Sequence, residues 1–459
     1  MITPQLEKDL EYTYESLSKE EIARLQGSSI LITGCAGFLG FYFVHFFYHF
    51  RLKLNLTKVI CLDNFMLGYP KWIDEMAADE HFIVKKFDII KDNIEDIAEA
   101  KSADYIIHMA SIASPMFYRK YPIETLDANI WGLRKLLEYY KERNIKGFLF
   151  YSSSELYGDP APEAVPTPES YNGNVCATGP RACYDESKRF GETMCMLWAG
   201  QYNMPIGVVR PFNNYGPGMK INDKRVPADF AKNVIEGNDI TILSNGSPSR
   251  TFCYIADAIA GYLKIMLYGK YDYFNIGIEK PEITVSRLAE IYSEKGAGIF
   301  GYSGKVAYAV SEDKEYLTNN PQRRCPDITK ARTMLNYNPR IYVEEGVERF
   351  LQRNPGISVV AEEDGKIVGA ILCGHDGRRG CLYHVCVDPA YRRRGIGKDM
   401  VVHCMNALHK EGINKVSLIA FTQNDIGNAF WKEIGWTKRE DLNYYDFVLN
   451  KNNIIRFNR

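Results

Sequence analysis

The stretch Ser29-Ile30-Leu31-Ile32-Thr33-Gly34-Cys35-Ala36-Gly37-Phe38-Leu39-Gly40 decides how most of the chain is read. A run of strand character meets three glycines spaced three apart, and Phe38 to Phe50 continues apolar and aromatic enough for a helix buried against a sheet. Strand, tight turn and helix in that order bring a backbone close to a pyrophosphate and offer it the free N–H groups of a helix start. The next strand-like run, Lys58-Val59-Ile60-Cys61-Leu62-Asp63, ends in an acid. An acid there accepts bonds from the adenosine ribose and repels a 2′-phosphate, so NAD is expected in preference to NADP. The expected cofactor contacts are Gly34, Gly37, Phe38, Leu39 and Gly40, then Asp63 with Asn64. Asp88, read as ending a third strand, is expected to reach the adenine, with Ile89 and Ala110 beside the same cleft.

Working outward, Phe82 to Asp88, Tyr105 to His108 and Gly147 to Ser152 read as further strands, most of them separated by helical patterns. This alternation predicts an α/β fold, a Rossmann-type doubly wound parallel sheet. Residues 1–27 form a short helical extension rich in Glu, Lys and Leu. Pro160 to Pro180, rich in Pro, Gly and Asn, reads as a loop over a site, and Tyr215 to about Arg340 as a smaller substrate lobe. The pattern changes near Asn354-Pro355-Gly356, where two alternating runs, Ile357 to Glu362 and Ile367 to Cys373, flank the hairpin signal Asp364-Gly365. The first domain is therefore expected over 28–343 and a second α/β domain over 344–459.

Composition narrows the function. A chain of 459 residues with 46% hydrophobic and 25% charged residues is ordinary globular protein, and its net charge of -1 gives no global field to attract nucleic acid or a membrane. No apolar run approaches the roughly 20 residues that span a bilayer. The first 26 residues are charged from the start and lack a signal-peptide core. The eleven cysteines are scattered, without a C-x-x-C pair or metal-ligand spacing. No metal is expected, and reduced thiols imply the cytoplasm.

Tyr184 and Lys188 lie four apart and share one helix face. A nearby ammonium favours the phenolate, which can take a hydroxyl proton while a hydride leaves the same carbon for NAD. After the strand ending at Ser152 comes Ser153-Ser154-Glu155-Leu156-Tyr157-Gly158. At such a strand end a hydroxyl polarises the reacting oxygen and a carboxylate handles a second proton.

On these residues, 28 to about 343 resemble the extended short-chain dehydrogenases/reductases, and among them the UDP-glucuronate decarboxylases. The resemblance is carried by His108 to Pro115, Ser154 to Pro160, Gly179 to Glu186, Arg210 to Pro217, Asn222 to Val226, and Pro321-Gln322-Arg323-Arg324-Cys325-Pro326-Asp327. It implies Ser153, Ser154, Glu155, Tyr184 and Lys188 as catalytic positions. It puts Tyr118, Asn213, Arg225 and Arg250 on the nucleotide sugar, and Arg324 at the sugar carboxylate and in catalysis. Oxidation at C4 of a uronic acid makes a β-keto acid, which loses its carboxylate into an enolate; hydride return gives a pentose, and early release a 4-keto pentose. Ser187, Cys325, Pro211 and Asn214 depart from the family's commonest residues. The related 4,6-dehydratases and 4-epimerases remain an alternative, although many dehydratases carry Asp where this chain has Ser154. Members of the family pair through two helices, and the apolar segments Pro122–Arg143 and Arg181–Tyr202 lead us to expect a homodimer.

Residues 345 to 449 resemble the GNAT acetyltransferases through Val385-Cys386-Val387-Asp388-Pro389-Ala390-Tyr391-Arg392-Arg393-Arg394-Gly395-Ile396-Gly397 and through Asn424 to Trp436. A loop at a helix start there would cradle the CoA pyrophosphate. Val385, Val387, Arg392, Arg393, Arg394, Gly395, Ile396, Gly397 and Asn428 are the implied acetyl-CoA contacts. The front of the fold is short, and Trp431 stands where a tyrosine acid is usual. Acetylation of an amino sugar and a non-catalytic CoA-binding or scaffold role are therefore both open.

Overall fold

The computed structural model describes residues 3–220, 223–311, 315, 318–351, 358–363, 366–375, 380–410 and 413–441. Asn222, the stretch Asn354-Pro355-Gly356-Ile357, the Asp364-Gly365 turn and all residues after Asp441 lie outside the described residues. Two compact units are present, Pro4–Gln352 and Arg353–Arg459.

The first unit is built on seven strands, β1 (Ser29–Thr33), β2 (Lys58–Asp63), β3 (Phe82–Lys86), β4 (Tyr105–His108), β5 (Gly147–Tyr151), β6 (Ile206–Pro211) and β7 (Asp272–Ile276). Their order is β7-β6-β5-β4-β1-β2-β3, and every neighbouring pair is parallel. β1, β4 and β5 are buried along their whole length, as strands covered on both faces must be. The chain runs outward from β1 to β3, then returns to the other side of β1 at β4. Beyond the carboxyl ends of β1 and β4 this reversal opens the crevice where such sheets bind ligands.

Among the helices that frame the sheet and the smaller lobe are α1 (Pro4–Glu15), α2 (Phe38–Phe50), α3 (Ala182–Tyr202), α4 (Ile255–Tyr268), α5 (Val285–Phe300) and α6 (Val343–Leu351). The N-terminal extension is part of the core of this unit. Asp9 on α1 is fully buried and accepts bonds from Tyr254 Oη at 2.6 Å, Arg349 Nη1 at 2.6 Å and Gln5 Nε2 at 2.9 Å. Arg349 belongs to α6, which packs on α5. The helix that the sequence places at the opening of the second domain thus folds with the first unit, because its apolar face and its arginine both find partners there.

In the smaller lobe, Ser249–Arg250 pairs in parallel with Arg323–Arg324, setting Arg324 directly beside Arg250. Two residues that are far apart in sequence reach the crevice side by side.

The second unit has four strands, β8 (Val359–Glu363), β9 (Lys366–His375), β10 (Gly380–Val387) and β11 (Val416–Leu418), with α7 (Ile396–Lys410) and α8 (Asp425–Glu433). Helix α7 covers one face through Met400, Val401, Cys404 and Leu408 against Ile371, Cys373 and Leu382. β8, β9 and β10 are antiparallel, whereas β10 and β11 run parallel and pair only over Gly380–Leu382. Among the described residues, the ladder between β10 and β11 does not extend to His384–Val387. No described helix is long and apolar enough to cross a membrane, no described cluster could hold a metal ion, and all eleven cysteines are free thiols.

Candidate active site

At the end of β1 the glycines are required by contact. Gly34 has φ +78°, and a Cβ on it would lie 2.8 Å from the Ala110 backbone nitrogen. A Cβ on Gly40 would stand 2.3 Å from the Cys35 carbonyl oxygen, so α2 can press onto the loop only without one. Gly37 is exposed and no side chain caps the first turn of α2, flanked by Phe38 and Leu39. Asp63 closes the loop, accepting from Ala36 N at 2.9 Å and Phe65 N at 2.8 Å, and burial raises its carboxyl above the usual range. A cradle that any side chain would fill, an uncapped helix start and an acid at the second strand end fit a dinucleotide. Asn64 turns its amide oxygen to Met66 N at 3.0 Å. Asp88 does not end the third strand: β3 stops at Lys86, and Asp88 begins a turn in which it accepts from Ile90 N at 3.0 Å. Ile89 beside it is buried, and Ala110 N lies 3.4 Å from Thr33 Oγ1.

Tyr184 and Lys188 project from the first turns of α3 and are both buried. Ser153 stands close enough to the Tyr184 hydroxyl to favour its phenolate, and the Tyr184 ring stacks on Tyr118 at 5.1 Å and 13°. Lys188 Nζ lies 5.6 Å from the Tyr184 ring centroid and donates to the Tyr151 carbonyl at 2.7 Å. Burial pushes Tyr184 up to about 12 and Lys188 down to about 7. In both groups desolvation is the largest influence, and it favours the neutral phenol and the neutral amine. Ser187 uses its hydroxyl fully, donating to the Tyr184 carbonyl at 3.0 Å and accepting from Asn129 Nδ2 at 2.9 Å.

Glu155 sits in the short turn Ser154–Tyr157 after β5, its N–H capped by Ser153 Oγ at 3.1 Å. Ser154 is buried at the start of the same turn. Arg324 forks onto the Glu155 carboxylate, Nη1 to Oε1 and Nη2 to Oε2, both at 2.6 Å. Arg181 donates a third bond to Oε2. Burial alone would raise this carboxyl, but the guanidiniums of Arg181 and Arg324 prevail and hold it down at about 2. On its other side, Arg181 Nε lies 3.7 Å from Asp185, whose carboxyl is raised to about 7 by burial and the nearby Glu155 charge. Arg250 donates to the carbonyls of Ser249 at 2.8 Å, Gln322 at 3.1 Å and Pro321 at 2.5 Å. Burial and the charge of Arg324 lower it to about 9.

The structure thus gathers Ser153, Glu155, Tyr184, Lys188, Tyr118 and Arg324 at one place. Arg225 belongs to the same region: its guanidinium lies 5.7 Å from the Phe38 ring centroid, pairs with Asp223, and is close enough to favour the Tyr184 phenolate. Asn213 (φ +42°) spends its amide on the Thr251 carbonyl at 2.8 Å. Arg181 and Asp185 are not expected from the sequence to have a role. The available signal is position, since they stand three before and one after Tyr184 at the start of one helix.

In the second unit the turn after β10 carries Arg393 at φ +65° and Gly395 at φ +86° into the start of α7 at Ile396. Arg392 Nε donates to the Val387 carbonyl at 3.0 Å, and Arg394 pairs with Glu363 at 2.6 Å. Val385 and Val387 are half-buried on β10, and Gly397 has Phe430 as its nearest side chain, 3.4 Å from where its Cβ would be. Asn428 donates to Phe421 O at 3.0 Å and Thr422 O at 3.2 Å, bracing the chain before α8. Trp431 packs between Phe430 and Trp436.

A doubly wound sheet with a tight glycine loop at its switch point places the first unit among the nucleotide-binding α/β enzymes. The chain belongs to the NAD dependent epimerase/dehydratase family, whose model matches residues 30–277, and residues 329–436 match the Acetyltransferase (GNAT) family model. The chain is similar to UDP-glucuronic acid decarboxylase 1 of Xenopus tropicalis, 33% identical over 322 residues, 70% of this chain and 71% of that protein. UDP-glucuronic acid decarboxylase 5 of Arabidopsis thaliana is 33% identical over 319 residues, 69% of this chain and 86% of that protein. Among solved structures, UDP-glucose 4-epimerase of Thermotoga maritima shares the fold at a TM-score of 0.61 and 24% identity, covering 71% of this chain and 97% of that one.

Proposed function

We propose that the first unit binds NAD and a nucleotide uronate of the UDP-glucuronate type, oxidises C4 and releases the carboxylate as CO₂. The observation that carries this is a buried surplus of cation beside Tyr184. Arg324 and Arg181 share one carboxylate, Arg250 adjoins Arg324, and the Nε atoms of Arg324 and Arg181 have no hydrogen-bond partner. Buried guanidiniums with spare donors suit an anionic substrate group. The similarity to UDP-glucuronic acid decarboxylases points the same way.

In this reading Gly34, Gly37 and Gly40 let NAD approach the sheet, and Asp63 takes the ribose. NAD, when bound, supplies the hydride acceptor at C4. Tyr184 Oη takes the C4 hydroxyl proton, and Ser153 orients the same oxygen. Burial puts this step on an NAD-bound site, since Tyr184 by itself sits at about 12. Arg324 holds the carboxylate in line for its departure as CO₂, and Glu155 governs the proton that replaces it at C5. Incubation with UDP-glucuronate and NAD followed by mass spectrometry tests this. Loss of CO₂ is expected, and Tyr184→Phe should lower turnover by roughly 10²- to 10⁴-fold. Turnover without mass loss would replace decarboxylation by C4 inversion.

For the second unit we propose CoA binding at Arg392–Gly397, with N-acetylation of a nucleotide amino sugar as the finer reading. Support comes from the turn at the start of α7, with Arg393 and Gly395 at positive φ, and from the short ladder between β10 and β11, which does not extend to His384–Val387 among the described residues. Absence of acetyl-CoA turnover with any 4-amino nucleotide sugar would reduce the unit to a binding module. A homodimer is proposed on the exposed apolar side chains Ile123 and Trp131, and Phe190 and Leu197 on α3, and light scattering checks it. The free thiols support a cytoplasmic location.

A further inference from the structure

If a uronate is the substrate, two carboxylates compete for one guanidinium. Arg324 forks onto Glu155 in the folded protein, and the sugar carboxylate needs the same fork. The two arginines that grip Glu155 come from different parts of the unit. Arg324 reaches in from the smaller lobe on the short strand Arg323–Arg324, whereas Arg181 is fixed at the start of α3, next to the residues that carry Tyr184. Arg181 is also held from behind, because its Nε faces Asp185 at 3.7 Å and its guanidinium lies 6.0 Å from the Tyr118 ring centroid. Both Arg181 and Asp185 line a polar cavity of about 430 Å³ that also includes Asp159, Asn174 and Asn319. Arg181 Nε, Asp185 Oδ1 and Arg324 Nε are buried without hydrogen-bond partners, so the cluster has spare donors and a spare acceptor.

We propose, resting on the uronate reading, that Arg181 is a positioning residue that keeps the Glu155 carboxylate in place when Arg324 leaves it for the sugar carboxylate. The exchange gives each carboxylate one guanidinium. The charged and titratable groups facing Glu155 are Arg181, Arg324 and Asp185, with Arg250, Tyr118 and Tyr184 next to them. Shared between two guanidiniums, Glu155 is too acidic to exchange a proton near neutrality. Left with Arg181 alone beside a second carboxylate, its proton affinity rises toward the working range. Without Arg181, the two carboxylates would share Arg324, and one of them would have to take up a proton for the uronate to bind.

The test uses the full chain loaded with NAD in a Tyr184→Phe background, in which turnover is slow compared with binding. Calorimetry in buffers of different ionisation heat counts the protons taken up when UDP-glucuronate or UDP-glucose binds. The parent is expected to take up almost none with the uronate, Arg181→Met about one, and Arg181→Lys to remain near the parent. UDP-glucose should show no difference between them, and repeating the series with Asp185→Asn removes the neighbouring carboxyl that could take up the proton through its contact with Arg181. Equal proton counts in the parent and Arg181→Met, with uronate still bound, overturn the exchange while leaving the uronate reading standing. A parent that binds UDP-glucose as tightly as UDP-glucuronate removes the uronate reading and the exchange together. Should Arg181→Met fail to fold, the pH profile of kcat in the active enzyme decides. Arg181→Lys keeps the charge but loses the fork, so kcat should fall on the order of tenfold with KM little changed. Its acid limb should move to higher pH, and that of Asp185→Asn to lower pH. Limbs that stay in place in both variants overturn the proposal.

Discussion

The two glycine turns of this chain, Gly34–Gly40 and Arg392–Gly397, both lead a strand into a helix start, yet they are built by opposite means. In the first, packing does the work: Cβ atoms on Gly34 and Gly40 would meet backbone atoms at 2.8 and 2.3 Å, and the charged residue at the loop is Asp63. In the second, there is room: the nearest atoms to a Cβ on Gly395 and Gly397 are 3.8 and 3.4 Å away, and three arginines supply the charge. A buried loop selects its ligand by shape and by one acid, whereas an exposed one relies on side-chain cations that salt can screen.

The strongest way to break this contrast is Gly40→Ala. It should cost about 1–3 kcal/mol and the retention of NAD, because the obstructing atom is a backbone carbonyl that cannot move aside. Chemical denaturation and absorbance of bound cofactor would show it. Burial without ionic compensation should also appear as a pH effect. Lys188, lowered to about 7, binds fewer protons folded than unfolded between that pH and its ordinary value of 10.5. Stability from this group therefore rises with pH across that window, and Lys188→Met should flatten the rise in thermal melts. Asp63→Asn should narrow the preference for NAD over NADP by on the order of tenfold in equilibrium binding, since a 2′-phosphate is then no longer repelled. In the second turn, Arg394→Ala should weaken CoA about fivefold at low salt and less as salt is raised, its exposed pair with Glu363 contributing little. Gly397→Ala should be the mildest, within about 0.5 kcal/mol of the parent. A loss as large as that of Gly40→Ala would end the contrast.

How much could be read in advance depends on the range of each signal. β1, the glycine turn, α2 and the acid at the end of β2 lie within 35 residues (29–63), and their order alone predicts the parallel sheet that is observed. Tyr184 and Lys188 share a face by helix spacing, and Ser153 to Glu155 announce themselves at a strand end. The end of the third strand is misplaced by two residues because Phe87 is as apolar as the strand before it, while Asp88 turns back to cap Ile90. The N-terminal helix looks like an appendage since its buried acid, Asp9, finds Tyr254 and Arg349 only after 245 and 340 residues.

Local order in the chain was enough to predict a dinucleotide-type α/β domain and a second α/β region with an arginine-glycine turn, and to nominate residues for proton handling. It could not establish their charge states or partners. Glu155 meets Arg324 across 169 residues, and the same burial that draws the cluster together raises Tyr184, lowers Lys188 and leaves Asp185 near neutrality. Pattern is a property of neighbours along the chain, while desolvation and Coulomb interaction depend on neighbours in space, and these exist only once the lobe has closed Arg324 onto β5 and α3.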